Sequence, residues 1–75
     1  MVTPVDIKHW IEAGLDGAQV EIDGDGHHFN AVIVCPAFAG KSMIQQHQMV
    51  YDALGGQMGE TLHALALQTN PPKDT

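Results

Sequence analysis

The chain has 75 residues, 44% of them hydrophobic, and a formal net charge of −6, with nine acidic side chains set against Lys8, Lys41 and Lys73 and no arginine. That length makes one domain, near the lower limit at which an apolar core holds a fold without disulfides or metal, and the single Cys35 excludes an internal disulfide framework. Nucleic-acid affinity draws mainly on Lys and Arg neutralising phosphates, so the charge balance argues against that class, and no apolar run reaches bilayer length. The N-terminus has no basic stretch leading into an apolar one, so a cytoplasmic location is expected.

Thr3-Pro4-Val5-Asp6 has the composition of a helix start: a hydroxyl for first-turn amides, a proline whose missing N–H costs nothing there, and an acid at the positive end. Ile7, Trp10 and Ile11 give the helix an apolar stripe, and Gly14 reads as its stop, with Leu15 at the core edge. Val20 and Ile22 alternate with Gln19, Glu21 and Asp23, predicting a strand with one wet face. Gly24-Asp25-Gly26 reverses the chain. The β-branched, almost continuously apolar stretch from Phe29 to Cys35 predicts a central strand, more buried than its partner, that ends at Pro36.

Phe38-Ala39-Gly40 is a connector. Ser42 with Gln45 forms a capping-box pattern that opens a second main helix. Met43, His47, Val50, Tyr51 and Leu54 are predicted to share its buried face, with the Tyr51 hydroxyl tying helix to sheet. Gly55-Gly56 breaks this helix, Gln57 to Glu60 adds a short turn, and Leu62 to Gln68 is the predicted last strand. Residues 1–69 read as a single domain, and 70–75, polar and proline-bearing, as a flexible C-terminal tail. The order predicts an α+β fold: a three-stranded mixed sheet with the third strand returning after a helical crossover and helices on one face.

Five histidines raise the question of a metal, since neutral imidazole ligates iron, copper and zinc. No Cys-x-x-Cys, His-Glu-x-x-His or Cys/His knuckle is present, which argues against a self-contained zinc site and leaves an incomplete one, completed by another molecule. By spacing alone, His63, in phase with Leu65 and Leu67, reads as a half-buried strand residue, and His28 as a solvated turn residue. His47 reads as structural, near Tyr51 one turn on, His9 as a surface residue and Cys35 as an inert core thiol. Gly56-Gln57-Met58-Gly59 fits the phosphate-clamping loop of KH domains, but Asp52 and Glu60 flank it. Lys41-Ser42, at a helix start, is a better anion or partner contact. No nucleophile with a base and an orienting acid can be assembled, so an enzyme is not expected.

One set of residues carries a resemblance: Phe38-x-Gly40, Ser42, His47-Gln48, Val50-Tyr51-x-x-Leu54 and His63-Ala64-Leu65. In that order they resemble the signature of the BolA family, and Gly24-Asp25-Gly26-His27-His28-Phe29 resembles the corresponding turn of its IbaG (YrbA) subgroup. The likeness covers residues 5 to 69. It implies the BolA-like, type II KH-like αββααβ fold and an adaptor that pairs with a monothiol glutaredoxin. The pair would share a 2Fe-2S cluster whose other ligands are the glutaredoxin cysteine and a glutathione thiol, in cluster delivery or iron homeostasis. His63 and His28 match the family's ligands, with His27 as the alternative if the turn is shifted by one residue. Imidazole in place of thiolate lowers the anionic charge around a cluster and raises its potential. The isolated protein, with two surface ligands, is expected to hold the cluster weakly. The runner-up expectation is a KH-like, nucleic-acid-binding transcriptional regulator.

Overall fold

Thr3 begins the first helix as its sequence demands. In the computed structural model, which describes residues 2–73, its hydroxyl accepts from the Asp6 amide at 3.2 Å and its own amide donates to Asp6 Oδ2 at 3.0 Å, a complete capping box. The helix, α1, runs Pro4–Gly14 and buries Ile7 and Ile11, and Leu15 follows in extended conformation against the core. Gly14 does mark the end, but not through a left-handed φ. A Cβ there would lie 2.6 Å from Ala53 Cβ, so the glycine permits a close helix–helix approach.

Strand β1 (Gln19–Gly24) runs antiparallel to β2 (Phe29–Val34), from Gln19 opposite Val34 to Gly24 opposite Phe29. Strand β3 (Leu65–Asn70) lies parallel to β2 on its other side, from Phe29 opposite Leu65 to Val34 opposite Asn70. A parallel return needs a long crossover. It is supplied by a 3-10 turn at Pro36–Phe38, helix α2 (Met43–Leu54) and a longer 3-10 turn at Gly59–Ala64. Both helices cover one face of the sheet, giving the predicted α+β architecture.

The core lies between that face and the helices: Ile7 and Ile11 from α1, Phe29 and Ile33 from β2, Val50 and Leu54 from α2. Each such side chain, fully buried, contributes about 1.5–3 kcal/mol. β2 is central and more buried than β1, as expected, but it alternates. Phe29, Ala31 and Ile33 face the helices while Asn30 and Val32 face out, Val32 being 38% exposed.

Three expectations are corrected. The buried face of α2 is Gln46, Val50 and Leu54, not a stripe including Met43 and Tyr51, which are exposed; His47 is half-buried. Hydropathy alone excludes Gln46, yet its amide donates to the carbonyls of Lys41 and Phe38 and its Oε1 accepts from the Thr69 hydroxyl, so it is buried with its polar atoms paired. The last strand starts at Leu65 rather than Leu62. The helical turn persists because the Thr61 amide and hydroxyl both donate to the Met58 carbonyl. At the other end, β3 runs through Asn70, whose carbonyl accepts from the Cys35 amide at 3.2 Å, one residue into the stretch expected as tail. Asp74 and Thr75 lie outside the described residues.

Candidate metal centre

The tip joining β1 to β2, residues 25–28, is built around one carboxylate. Asp25 Oδ1 accepts the backbone N–H of both His27 and His28, each at 2.8 Å, and the Asp25 amide donates to the His28 carbonyl at 3.2 Å. This is the local side-chain-to-backbone bonding by which Asp favours turns. Gly26 takes a φ of +92°, the left-handed region that other residues resist. The amides of His28 and then His27 hold the Asp25 carboxyl below its ordinary range, since they stabilise its ionised form. With the turn closed in this way, the side chains of His27 and His28 are both exposed.

His63 reaches the surface by a different route. Met58 is buried and anchors the connection after α2, and the Thr61 bonds to its carbonyl wind the chain into the turn that carries His63. The ring is therefore on a 3-10 turn and exposed, not half-buried at a strand opening. Leu65 follows two residues later and faces Phe29, the residue after His28. The hairpin tip and the 3-10 turn thus lead into the same end of the parallel pair β2–β3.

The donor set is partial. Among the described residues, no group of three or more His, Cys, Asp and Glu is placed to hold a metal ion. Cys35 is fully buried, with Sγ 3.6 Å from the Asp16 carbonyl, and offers no sulfur to solvent. Two imidazoles at one end of a sheet fit a group whose remaining ligands come from outside; they do not fit a closed structural site.

The remaining signature residues are structural or open. Phe38, Val50 and Leu54 are core, and Gly40 has a φ of +76°. Tyr51, 37% exposed, edges a small apolar hollow with Leu54, Met58 and Leu62, so the tie between α2 and the sheet is Gln46 to Thr69 and not the tyrosine hydroxyl. Ser42 caps α2: its hydroxyl accepts from the Gln45 amide at 3.1 Å and its amide donates to Gln45 Oε1 at 2.9 Å. The amide, hydroxyl oxygen and carbonyl of Ser42 all take part in the start of α2, while Lys41 is exposed. Asp25 stands out in the sequence only as a turn residue; the signal for its larger role is an Asp followed by Gly where two amides come within reach of one carboxylate.

A family model described as BolA-like protein matches residues 8–74. A solved structure of a bolA protein homologue from Coxiella burnetii shares 49% identity at a TM-score of 0.87, over 99% of this chain and 96% of that one. SufE-like protein 1, chloroplastic/mitochondrial, of Arabidopsis thaliana is 36% identical over 73 residues, which are 97% of this chain and 19% of that protein. The DNA-binding transcriptional regulator BolA of Escherichia coli (strain K12) is 37% identical over 51 residues, 68% of this chain and 49% of that protein. The chain therefore spans about a fifth and about half of the lengths of these two curated relatives.

Proposed function

The chain belongs to the BolA-like protein family, and on that premise we propose that it is an adaptor that pairs with a monothiol glutaredoxin to hold and pass on a 2Fe-2S cluster. The observation that carries this reading is the exposure of His28 and His63 at one end of the β2–β3 pair. In this reading His63 and His28 each give an imidazole nitrogen to iron, His27 is the substitute at the tip, and the glutaredoxin cysteine and glutathione give the sulfur ligands. The cluster is cargo. The chain's own work is to present two imidazole donors at one end of the sheet and to dock, which supports a role in iron–sulfur assembly or iron homeostasis.

Catalysis by this chain is not part of the proposal. The apolar hollow beside Tyr51 measures about 70 Å³, and the larger concavity, about 280 Å³, is lined by Glu21, Ile22, Asp23, Asn30 and Val32, with none of the histidines in it.

The test is anaerobic reconstitution of the chain with a monothiol glutaredoxin and glutathione, read by visible absorption and circular dichroism. The wild type gives a mixed-complex spectrum distinct from that of the glutaredoxin homodimer. His63→Ala changes or abolishes it, and His28→Ala weakens it. A His63→Ala spectrum identical to wild type removes the ligand role.

A second reading, KH-like DNA or RNA binding, is favoured by the printed name DNA-binding transcriptional regulator, carried by the relatives from E. coli and Haemophilus influenzae. Three lysines, no arginine and a net charge of −6 oppose it. Binding that weakens steeply with added salt, and weakens further in Lys41→Ala, would support this second reading. Absence of binding at low salt removes it.

A further inference from the structure

Resting on that cluster reading, we propose that Asp25 is a positioning residue for the tip ligand: its Oδ1, by taking the amides of His27 and His28 together, fixes the path along which the His28 imidazole leaves the sheet before any metal arrives.

The tip needs such a device because it has no apolar anchor. Asp25, His27 and His28 are all exposed, and the first buried residue after them is Phe29. A loop left free in solution must be ordered when a ligand binds, and that cost is subtracted from affinity. Here the order is already present. Two 2.8 Å bonds converge on one oxygen, the Asp25 amide closes the turn onto the His28 carbonyl, and Gly26 supplies the left-handed link between them.

Gly24 narrows the choice further, because a Cβ at that position would lie 2.6 Å from the His28 carbonyl oxygen and 2.6 Å from Phe29 Cδ1. Gly24-Asp25-Gly26 is therefore one preformed support, and it presents His27 and His28, of which His28 adjoins the first residue of β2. Asp25 touches no metal in this scheme; it acts through the backbone of the ligand.

Groups that orient a metal ligand from behind typically change metal affinity by about 10–100-fold when removed. Asp25 acts on the backbone and not on the ring, which places its effect at the lower end, about tenfold.

The experiment has two readouts. In the free protein, amide hydrogen exchange and 15N relaxation at His27 and His28 are compared in wild type, Asp25→Ala and Asp25→Asn, with thermal melting as the control for folding. Asp25→Ala should speed exchange and loosen these amides, with only a small fall in the melting midpoint, and Asp25→Asn, which keeps an accepting oxygen but not the charge, should fall between Asp25→Ala and wild type. In the complex reconstituted with a monothiol glutaredoxin and glutathione, cluster loss to a chelator is followed by visible circular dichroism. Asp25→Ala should lose its cluster about tenfold faster than wild type, with Asp25→Asn at an intermediate rate.

Equal loss rates in wild type and Asp25→Ala overturn the role of Asp25 and leave the cluster reading standing. So does an Asp25→Asn variant as poor as Asp25→Ala, which would assign the effect to charge. A wild type that forms no mixed cluster at all overturns both.

Discussion

Thr69 donates its hydroxyl to Gln46 Oε1 at 2.7 Å, joining β3 to the buried face of α2. From the same side chain, Nε2 donates to the Lys41 carbonyl at 3.0 Å and the Phe38 carbonyl at 3.4 Å. One amide thus ties together the last strand, the second helix and the connector before it, pairing the Lys41 carbonyl and adding a second donor to the Phe38 carbonyl, which also accepts from the Lys41 amide at 3.0 Å.

Replacing Gln46 therefore tests how much of the stability rests on that amide. Gln46→Ala leaves the part-buried Lys41 carbonyl and Thr69 hydroxyl without their partner and should destabilise by about 1–3 kcal/mol. Gln46→Glu should cost more, because it sets a carboxylate against two carbonyl oxygens. Urea unfolding checks both, with a lowered midpoint and an unchanged slope as the expected outcome. Thr69→Val should cost less, and the Gln46→Ala/Thr69→Val cycle should show coupling. An unshifted midpoint in Gln46→Ala would mean that water replaces the amide freely.

Gly14→Ala sets two effects against each other. Alanine is favoured over glycine in a helix by up to about 1 kcal/mol. Against this, the new Cβ meets Ala53 Cβ at 2.6 Å and Ala53 Cα at 2.7 Å, and forcing α1 away from α2 costs about 1–3 kcal/mol. The clash should win and the melting temperature should fall. Gly14→Ala combined with Ala53→Gly should recover part of the loss, because it returns the space on the other side.

Acid should loosen the hairpin tip locally. The folded pKa of Asp25 lies below its ordinary value of 3.8 because the His28 and His27 amides favour the carboxylate. A lowered folded pKa means that the stabilising effect is fully present above that ordinary value and is lost as pH falls below it, through the lower folded value. NMR titration should show the His27 and His28 amide resonances shifting over that acid range and their protection relative to the intrinsic exchange rate falling, and Asp25→Asn should remove the transition at these two amides.

Metal content should depend on company. A partial donor set of two imidazoles holds iron weakly, so the isolated chain should carry little iron after anaerobic purification. With a monothiol glutaredoxin and glutathione, iron and acid-labile sulfide should appear together in a heterodimer peak on gel filtration. Stoichiometric iron on the chain alone would contradict the shared-ligand arrangement.

Most of the fold is legible from short-range rules. The Thr3/Asp6 and Ser42/Gln45 boxes start the two helices where their residue types say, and the alternation of Val20 and Ile22 gives β1. What escapes is long-range. Gln46 rotates the buried face of α2 because its partners are Thr69, 23 positions away, and two carbonyls that hydropathy cannot weigh. The 3-10 turn persists through Ala64 because of a Thr61 hydroxyl bond that a strand pattern does not contain.

The candidate ligands follow from family likeness and not from spacing. His28 and His63 are far apart in the chain, and only the pairing of Phe29 with Leu65 brings the segments that carry them to one end of the sheet.

The buried Cys35 has a consequence for survival under oxidative stress. Thiol oxidants act on exposed, ionised sulfur, and this chain's single cysteine is sealed in the core. A peroxide burst that damaged the sulfur donors of a companion would find no thiol here to modify. The nitrogen-bearing half of such a pair would emerge with its cysteine intact and fit to engage a fresh companion.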